Sequence, residues 1–159
     1  MGIVARHQKL AFYGVPATGS GTTTYHRMTG FTTFSMNKNA KEYNRQYVDE
    51  PFSEADVVGF SPAVSYAFDQ HTTSTVHTDI VSITNDEKIG DDAVRSIILV
   101  DTVSGDAIKR DYAVIPSSEG DNTNAYTYSG DFKCKGNKIK GTATSADDWQ
   151  TVTFAEAAD

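Results

Sequence analysis

A mainly β fold, a β-sandwich or barrel-like domain with one short α-helix, is predicted by three features of the sequence. Val, Ile, Tyr and Phe supply most of the apolar mass, beside abundant Thr and Ser. These types suit a pleated, half-buried surface better than a helix. Phe60, Pro62, Val64, Tyr66 and Phe68 alternate with Ser61, Ala63, Ser65 and Ala67, and strict period two sends every large side chain to one face. Residues 94–103 form a nearly continuous apolar run around Ile97-Ile98-Leu99-Val100, as expected of a strand covered on both faces.

The 159 residues suffice for one core and are few for two domains. Residues 1–30 read as an N-terminal arm and flexible linker, and 31–159 as a single β-domain. The linker is Pro16-Ala17-Thr18-Gly19-Ser20-Gly21-Thr22-Thr23-Thr24, small and polar throughout. Ile3, Leu10, Phe12 and Tyr13 let the arm dock either on its own domain or on a neighbouring subunit.

Within the domain, residues 37–58 are unusual. Their centre, Glu42 to Glu50, reads as extended, yet neither face is apolar enough to offset its own ordering entropy. Such a segment is expected to be mobile alone and ordered under another chain. Tyr43, Arg45, Tyr47, Asp49 and Glu50 are the candidate contacts, since aromatic and Arg side chains are enriched at interfaces.

Residues 74–85 are β-branched, but Val76, Ile80 and Ile83 fall at i, i+4 and i+7, and Ser74 can cap the start. One short helix is predicted there. In 107–115, Ile108, Tyr112 and Val114 should share a face opposite Lys109 and Asp111, after a turn at Ser104-Gly105-Asp106. Tyr126, Tyr128, Phe132 and Cys134 alternate with polar residues, and Ile139, Gly141 and Ala143 follow Gly136-Asn137. That pattern predicts a two-residue hairpin, with Lys133, Lys135, Lys138 and Lys140 as its outward-facing basic side. A last strand covers 149–154, with Trp149, Val152 and Phe154.

Chemistry leaves few candidates. His71 and His77 are six apart, a poor facing spacing on a helix, and the single Cys134 permits neither a disulfide nor a CxxC metal site. Gly19-Ser20-Gly21-Thr22 lacks the Lys of a phosphate-binding loop. Asn85-Asp86-Glu87 and Gly120-Asp121-Asn122 lack the ligand spacing of an EF-hand. The expectation is a protein that is no enzyme and carries no metal or cofactor. The net charge of −7 disfavours specific nucleic-acid binding, which draws on Lys and Arg. No apolar run approaches a membrane span, and the N-terminus reads Met1-Gly2-Ile3-Val4-Ala5-Arg6 without an apolar leader. Synthesis and folding in the cytoplasm are expected.

Several short blocks in order resemble the major tail (tail tube) proteins of tailed bacteriophages and prophages. They are Tyr47-Val48-Asp49-Glu50, Asp56 to Pro62, Glu87 to Ala93, Tyr128 to Phe132, Gly141 to Thr144, and Val152-Thr153-Phe154. The resemblance runs from about residue 30 to the end. It implies a subunit of a virion tail, made in the bacterial host. Six copies would close a ring, and stacked rings would form a non-contractile tube. The loop at 37–58 would reach the adjacent ring. Partners would be further copies of the chain and tape-measure, tail-tip and tail-terminator proteins, with DNA passing through the lumen unbound. Two alternatives are the inner tube of a contractile tail or phage-like bacteriocin, and a capsid decoration or receptor-binding β-domain.

Overall fold

Antiparallel pairing joins almost every strand of the chain. The structure is a computed structural model that describes residues 2–16, 23–120 and 123–157. In order, its elements are β1 (Lys9–Pro16), β2 (Thr23–Arg27), β3 (Phe31–Asn37), β4 (Lys41–Arg45), β5 (Glu54–Gly59), β6 (Ala63–Asp69), α1 (Thr75–Asn85), β7 (Val94–Asp101), β8 (Asp106–Glu119), β9 (Thr127–Cys134), β10 (Ile139–Thr144) and β11 (Thr151–Glu156). The fold is mainly β with one helix. The Gly19-Ser20-Gly21-Thr22 stretch, with most of the linker, and Asp121-Asn122 lie outside the described residues.

Nine strands form one sheet in the order β10-β11-β2-β1-β7-β8-β9-β6-β3, and β10 also pairs with β8. That extra pairing closes six strands into a small barrel. Its interior holds Phe12, Ile98, Val100, Ala107, Ala143 and Val152, with Trp149 and Phe154 at its margin. The Asp147 carboxylate shapes the turn that delivers Trp149. It accepts from the Thr151 amide at 3.0 Å, the Thr151 hydroxyl at 2.7 Å and the Ser145 hydroxyl at 2.8 Å. These donors, the Thr151 hydroxyl first, hold its pKa down to about 2. Closure also needs Gly141, where a Cβ would stand 2.1 Å from the Ala155 carbonyl oxygen.

The second core lies between the remaining sheet and α1. It holds Tyr13, Val64, Tyr66, Phe68, Ile97, Tyr112, Val114 and Phe132 against Val76, Ile80 and Ile83 of the helix. β1 and β7 serve both cores. Phe12 pairs with Ile98 and both enter the barrel, while the next pair, Tyr13 with Ile97, faces the helix. The continuous apolar run of 94–103 therefore marks a strand with two buried faces. Of the two docking places the sequence leaves open for the arm, its own domain is the one used, since β1 lies between β2 and β7.

The helix forms despite its β-branched residues because Val76, Ile80 and Ile83 make one stripe, and because Ser74 Oγ accepts from the His77 amide at 3.2 Å. It is tied to the sheet by Asp79. This carboxylate accepts from the Tyr13 hydroxyl at 2.6 Å and from Arg95 Nε at 2.9 Å. Arg95 also donates to the Asp92 and Val94 carbonyls. Burial and the neighbouring Asp79 charge push the Tyr13 phenol well above its ordinary pKa, so it stays a donor.

His77 is fully buried. Its Nδ1 accepts from the His71 amide at 3.0 Å, so Nε2 carries the proton that it donates to the Thr29 carbonyl at 2.7 Å. A second proton at Nδ1 would face the His71 N–H. This is a structural histidine that links α1 to the β2–β3 connection.

Three local expectations are corrected. Phe60 lies outside the alternating strand, which begins at Ala63, and is 60% exposed. Ile108 does not join Tyr112 and Val114 in the core and stays 36% exposed. The basic hairpin is not a hairpin: β9 pairs with β8 from Tyr112 to Glu119, and β10 pairs with the same strand from Asp106 to Lys109. The two strands run in line, and Gly136-Asn137 lies in the break between them. Sequence alternation fixes where each strand lies but cannot tell a reversal from an interruption.

Asp79→Ala is expected to destabilise the fold by about 3–5 kcal/mol, since it leaves Arg95 buried without its charge partner; urea unfolding checks this, with Lys138→Gln as a control near zero. Burial lowers the His77 pKa below its ordinary value, although the Thr29 carbonyl and Asp69 oppose this and His71 reinforces it. The unfolded chain therefore binds the proton more readily. The stability from neutral His77 is complete above about pH 6.5 and falls as pH drops below that value. Melting temperature should fall as pH drops below about 6.5, and His77→Gln should flatten that slope.

Candidate assembly surface: the protruding hairpin

β4 and β5 pair only with each other. They continue the β3–β6 pair past the body, because β3 leads into β4 and β5 leads into β6. The crossing point is fastened by the Ser61 amide, which donates to the Lys38 carbonyl at 3.1 Å, and by Asn39 Nδ2, which donates to the Ser61 carbonyl at 3.0 Å. Asn39 takes φ +49 there, a conformation that Asn tolerates better than most residues.

Register places Tyr43 opposite Asp56 and Arg45 opposite Glu54, so these four share one face. Arg45 is the hub. Its guanidinium donates to Asp56 and, at 3.1 Å, to Glu54, and lies 5.7 Å and 5.8 Å from the ring centres of Tyr43 and Tyr47. Both carboxylates are at least half exposed, so the ion pairs order the ribbon and add little net stability. At the tip, the Glu50 amide donates to the Tyr47 carbonyl at 3.1 Å and Gln46 Nε2 to the Glu50 carbonyl at 3.0 Å. The side chains of Asp49 and Glu50 are exposed.

The five sequence candidates thus fall on one element. Arg45 joins Tyr43 and Tyr47, while Asp49 and Glu50 sit apart at the tip. What the sequence reading missed is apolar. Val48 is fully exposed, Phe52 is 77% exposed, and Val57, Val58 and Phe60 are also exposed. A β-branched Val57-Val58 pair beside Phe60 was the available signal, hidden because the charged residues between Glu42 and Glu50 dominate the segment.

The four lysines form a separate exposed region spread over β9, β10 and the break between them. Lys135 Nζ lies 3.0 Å from Asp91 Oδ1 in an open ion pair. Among the described residues, no group of three or more His, Cys, Asp or Glu side chains is arranged to hold a metal ion. No helix among them is long and apolar enough to cross a membrane.

No family model matches the chain, and no curated protein matches it. Solved structures do. A chain in the C6-symmetric tail of an empty gene transfer agent (GTA) particle superposes with TM-score 0.61 at 14% identity, over 84% of this chain and 96% of that one. A chain of the six-fold symmetrised anti-feeding prophage baseplate superposes with TM-score 0.51 at 8% identity, over 88% and 96%. At such identities the likeness is one of fold. The chain has the β fold found in subunits of two phage-tail-type structures.

Proposed function

We propose that the chain is a structural subunit of a phage-type tail, a tail tube protein that closes into six-membered rings stacked around a DNA channel. One observation carries the reading: the likeness spans nearly the whole of both chains, in two assemblies of six-fold symmetry. A protruding hairpin with uncovered Val48 and Phe52 supports it, because each such side chain contributes about 1.5–3 kcal/mol once fully buried. A contact that joins the hairpin of one copy to a different surface of the next repeats without closing on itself, which is how filaments grow.

The work assigned to the chain is mechanical rather than catalytic. A conduit must let polyphosphate slide, and a chain of net charge −7 supplies few cations to hold it. Tape-measure, tail-tip and terminator proteins are the expected companions in the virion tail, and the host cytoplasm is the expected place of assembly. A second reading, a subunit at the baseplate end of the tail, is favoured by the anti-feeding prophage likeness.

Purified chain should pass from monomer to rings or tubes as its concentration rises, with a higher melting temperature in the assembled form. Electron microscopy and light scattering read both. Deleting residues 40–58 should leave a folded monomer that forms no tubes; a deletion that unfolds the body would place the hairpin in the core and end this reading. Replacing Lys133, Lys135, Lys138 and Lys140 with Gln should leave DNA delivery by reconstituted particles unchanged, since the reading keeps those side chains out of the channel.

A further inference from the structure

The hairpin tip has a chemical counterpart on the body. Beside β3, an open groove of about 720 Å³ runs between that strand and the N-terminal segment, β1 and β7. A second hollow of about 520 Å³ extends it toward Arg27. The two share Arg6, Lys9, Leu10, Ala11 and Phe34 and form one channel. Its floor is apolar, with Leu10, Met28, Phe31 and Phe34 half-buried. Its far end carries Arg6, His7, Lys9 and Arg27, and no acidic side chain lines that end.

One wall is a strand edge. Among the described residues β3 pairs with β6 and with no other strand, so its second side offers backbone groups to a partner. Arg6 reaches across to it, with Nη2 donating to the Phe34 carbonyl at 3.4 Å.

The charges of the tip and of the basic end of the groove are opposite, and neither set is engaged in an ion pair. Among the described residues the ion pairs are Arg45 with Glu54 and Asp56, Arg95 with Asp79, and Lys135 with Asp91. None involves Arg6, Lys9 or Arg27, and none involves Asp49 or Glu50. The tip therefore presents two carboxylates outside any ion pair beside Val48 and Phe52, and the Arg6–Lys9–Arg27 end of the groove presents three cations outside any ion pair beside an apolar floor, with Asp101 and Asp106 lining the opposite end. Complementary charge of this kind fixes the register of an interface and rejects wrong pairings.

We propose that this groove seats the hairpin tip of a second copy of the chain, with Asp49 and Glu50 at the Arg6–Lys9–Arg27 end and Val48 and Phe52 on the Leu10–Phe34 floor. The inference rests on the reading of the hairpin as an assembly surface and names the site that receives it. Tip and groove are different surfaces, so every copy gives one contact and receives one.

The test is a charge swap in the full chain. Arg6→Glu with Lys9→Glu reverses the groove, and Asp49→Lys with Glu50→Lys reverses the tip. Each variant alone presents like charges at both halves of the contact. Its half-assembly concentration should rise at least about ten-fold over the wild type, or 1.4 kcal/mol. An equimolar mixture of the two should assemble again, because each tip then meets an opposite groove. The thermal melt of each monomer reports folding. If Arg6→Glu costs the fold, His7→Glu with Lys9→Glu replaces it, as both of those side chains are exposed. Variants that assemble like the wild type, or folded variants whose mixture does not recover, overturn the inference. So does loss of assembly in the four-lysine variant with the groove variant unaffected, which would seat the tip on β9 and β10. If deleting 40–58 blocks assembly while groove reversal does not, only the seat is wrong. If the deletion assembles normally, or the wild type stays monomeric to its solubility limit, the hairpin reading falls and this one with it.

Discussion

Strand β8 has one edge left after β7 has paired with it, and two strands occupy that edge end to end. β9 takes its C-terminal half and β10 its N-terminal half. The interruption at 135–138 lets the chain leave the open half of the sheet and enter the closed half without reversing. Because β10 goes on to pair with β11, and β11 with β2, the sheet on that side closes into the barrel. On the other side, β9 passes the sheet to β6 and β3, where pairing stops. The closed half has no edge to offer, and the open half ends in β3 with the hairpin as its extension. Closure thus leaves the open strand edge at β3, next to the hairpin that exposes Val48, Phe52, Val57 and Val58.

The two halves are held in place by different chemistry. The barrel relies on size, with Ala143 packed among Phe12 and Trp149, and Gly141 held against the Ala155 backbone and the Phe154 ring with no room for a side chain. The other half relies on a polar clasp. Asp79 gathers Tyr13 from β1 and Arg95 from β7, and His77 joins the helix to the β2–β3 connection. A satisfied polar network in an apolar layer specifies one arrangement, because any slip strands a charge. The helix keeps a single position although its β-branched sequence has little intrinsic preference for it.

Local patterns were legible in the sequence, and long-range choices were not. Val64, Tyr66 and Phe68 betray β6 by alternation; Val76, Ile80 and Ile83 betray α1 by their spacing, with Ser74 marking its start. Ile97-Ile98-Leu99-Val100 announces two buried faces. By contrast, nothing near Gly136-Asn137 says that β10 belongs beside Lys109, thirty residues earlier, rather than beside β9. Leu10 to Tyr13 looks like an arm because its partners, β2 and β7, are named only by the fold. At the candidate surface, Tyr43, Arg45 and Tyr47 stood out by type. Phe52, Val57 and Val58 did not, since their exposure follows from the absence of any neighbour, which a sequence does not record. The groove was invisible for the same reason: Lys9, Arg27 and Phe34 meet only once the sheet has curved.

The fastening at Lys38, Asn39 and Ser61 has a mechanical meaning. Both strands of the ribbon run on into the body, one into β3 and the other into β6, and β6 is paired with β9 over seven consecutive residues. Antiparallel N–H···O bonds stand perpendicular to the strands. Tension applied to the hairpin therefore enters along β6 and loads those bonds sideways, all together, instead of prising them open one after another from an end. A polymer linked through such ribbons would resist stretching through its sheets and bend at the two short crossings, stiff in extension and compliant in flexure.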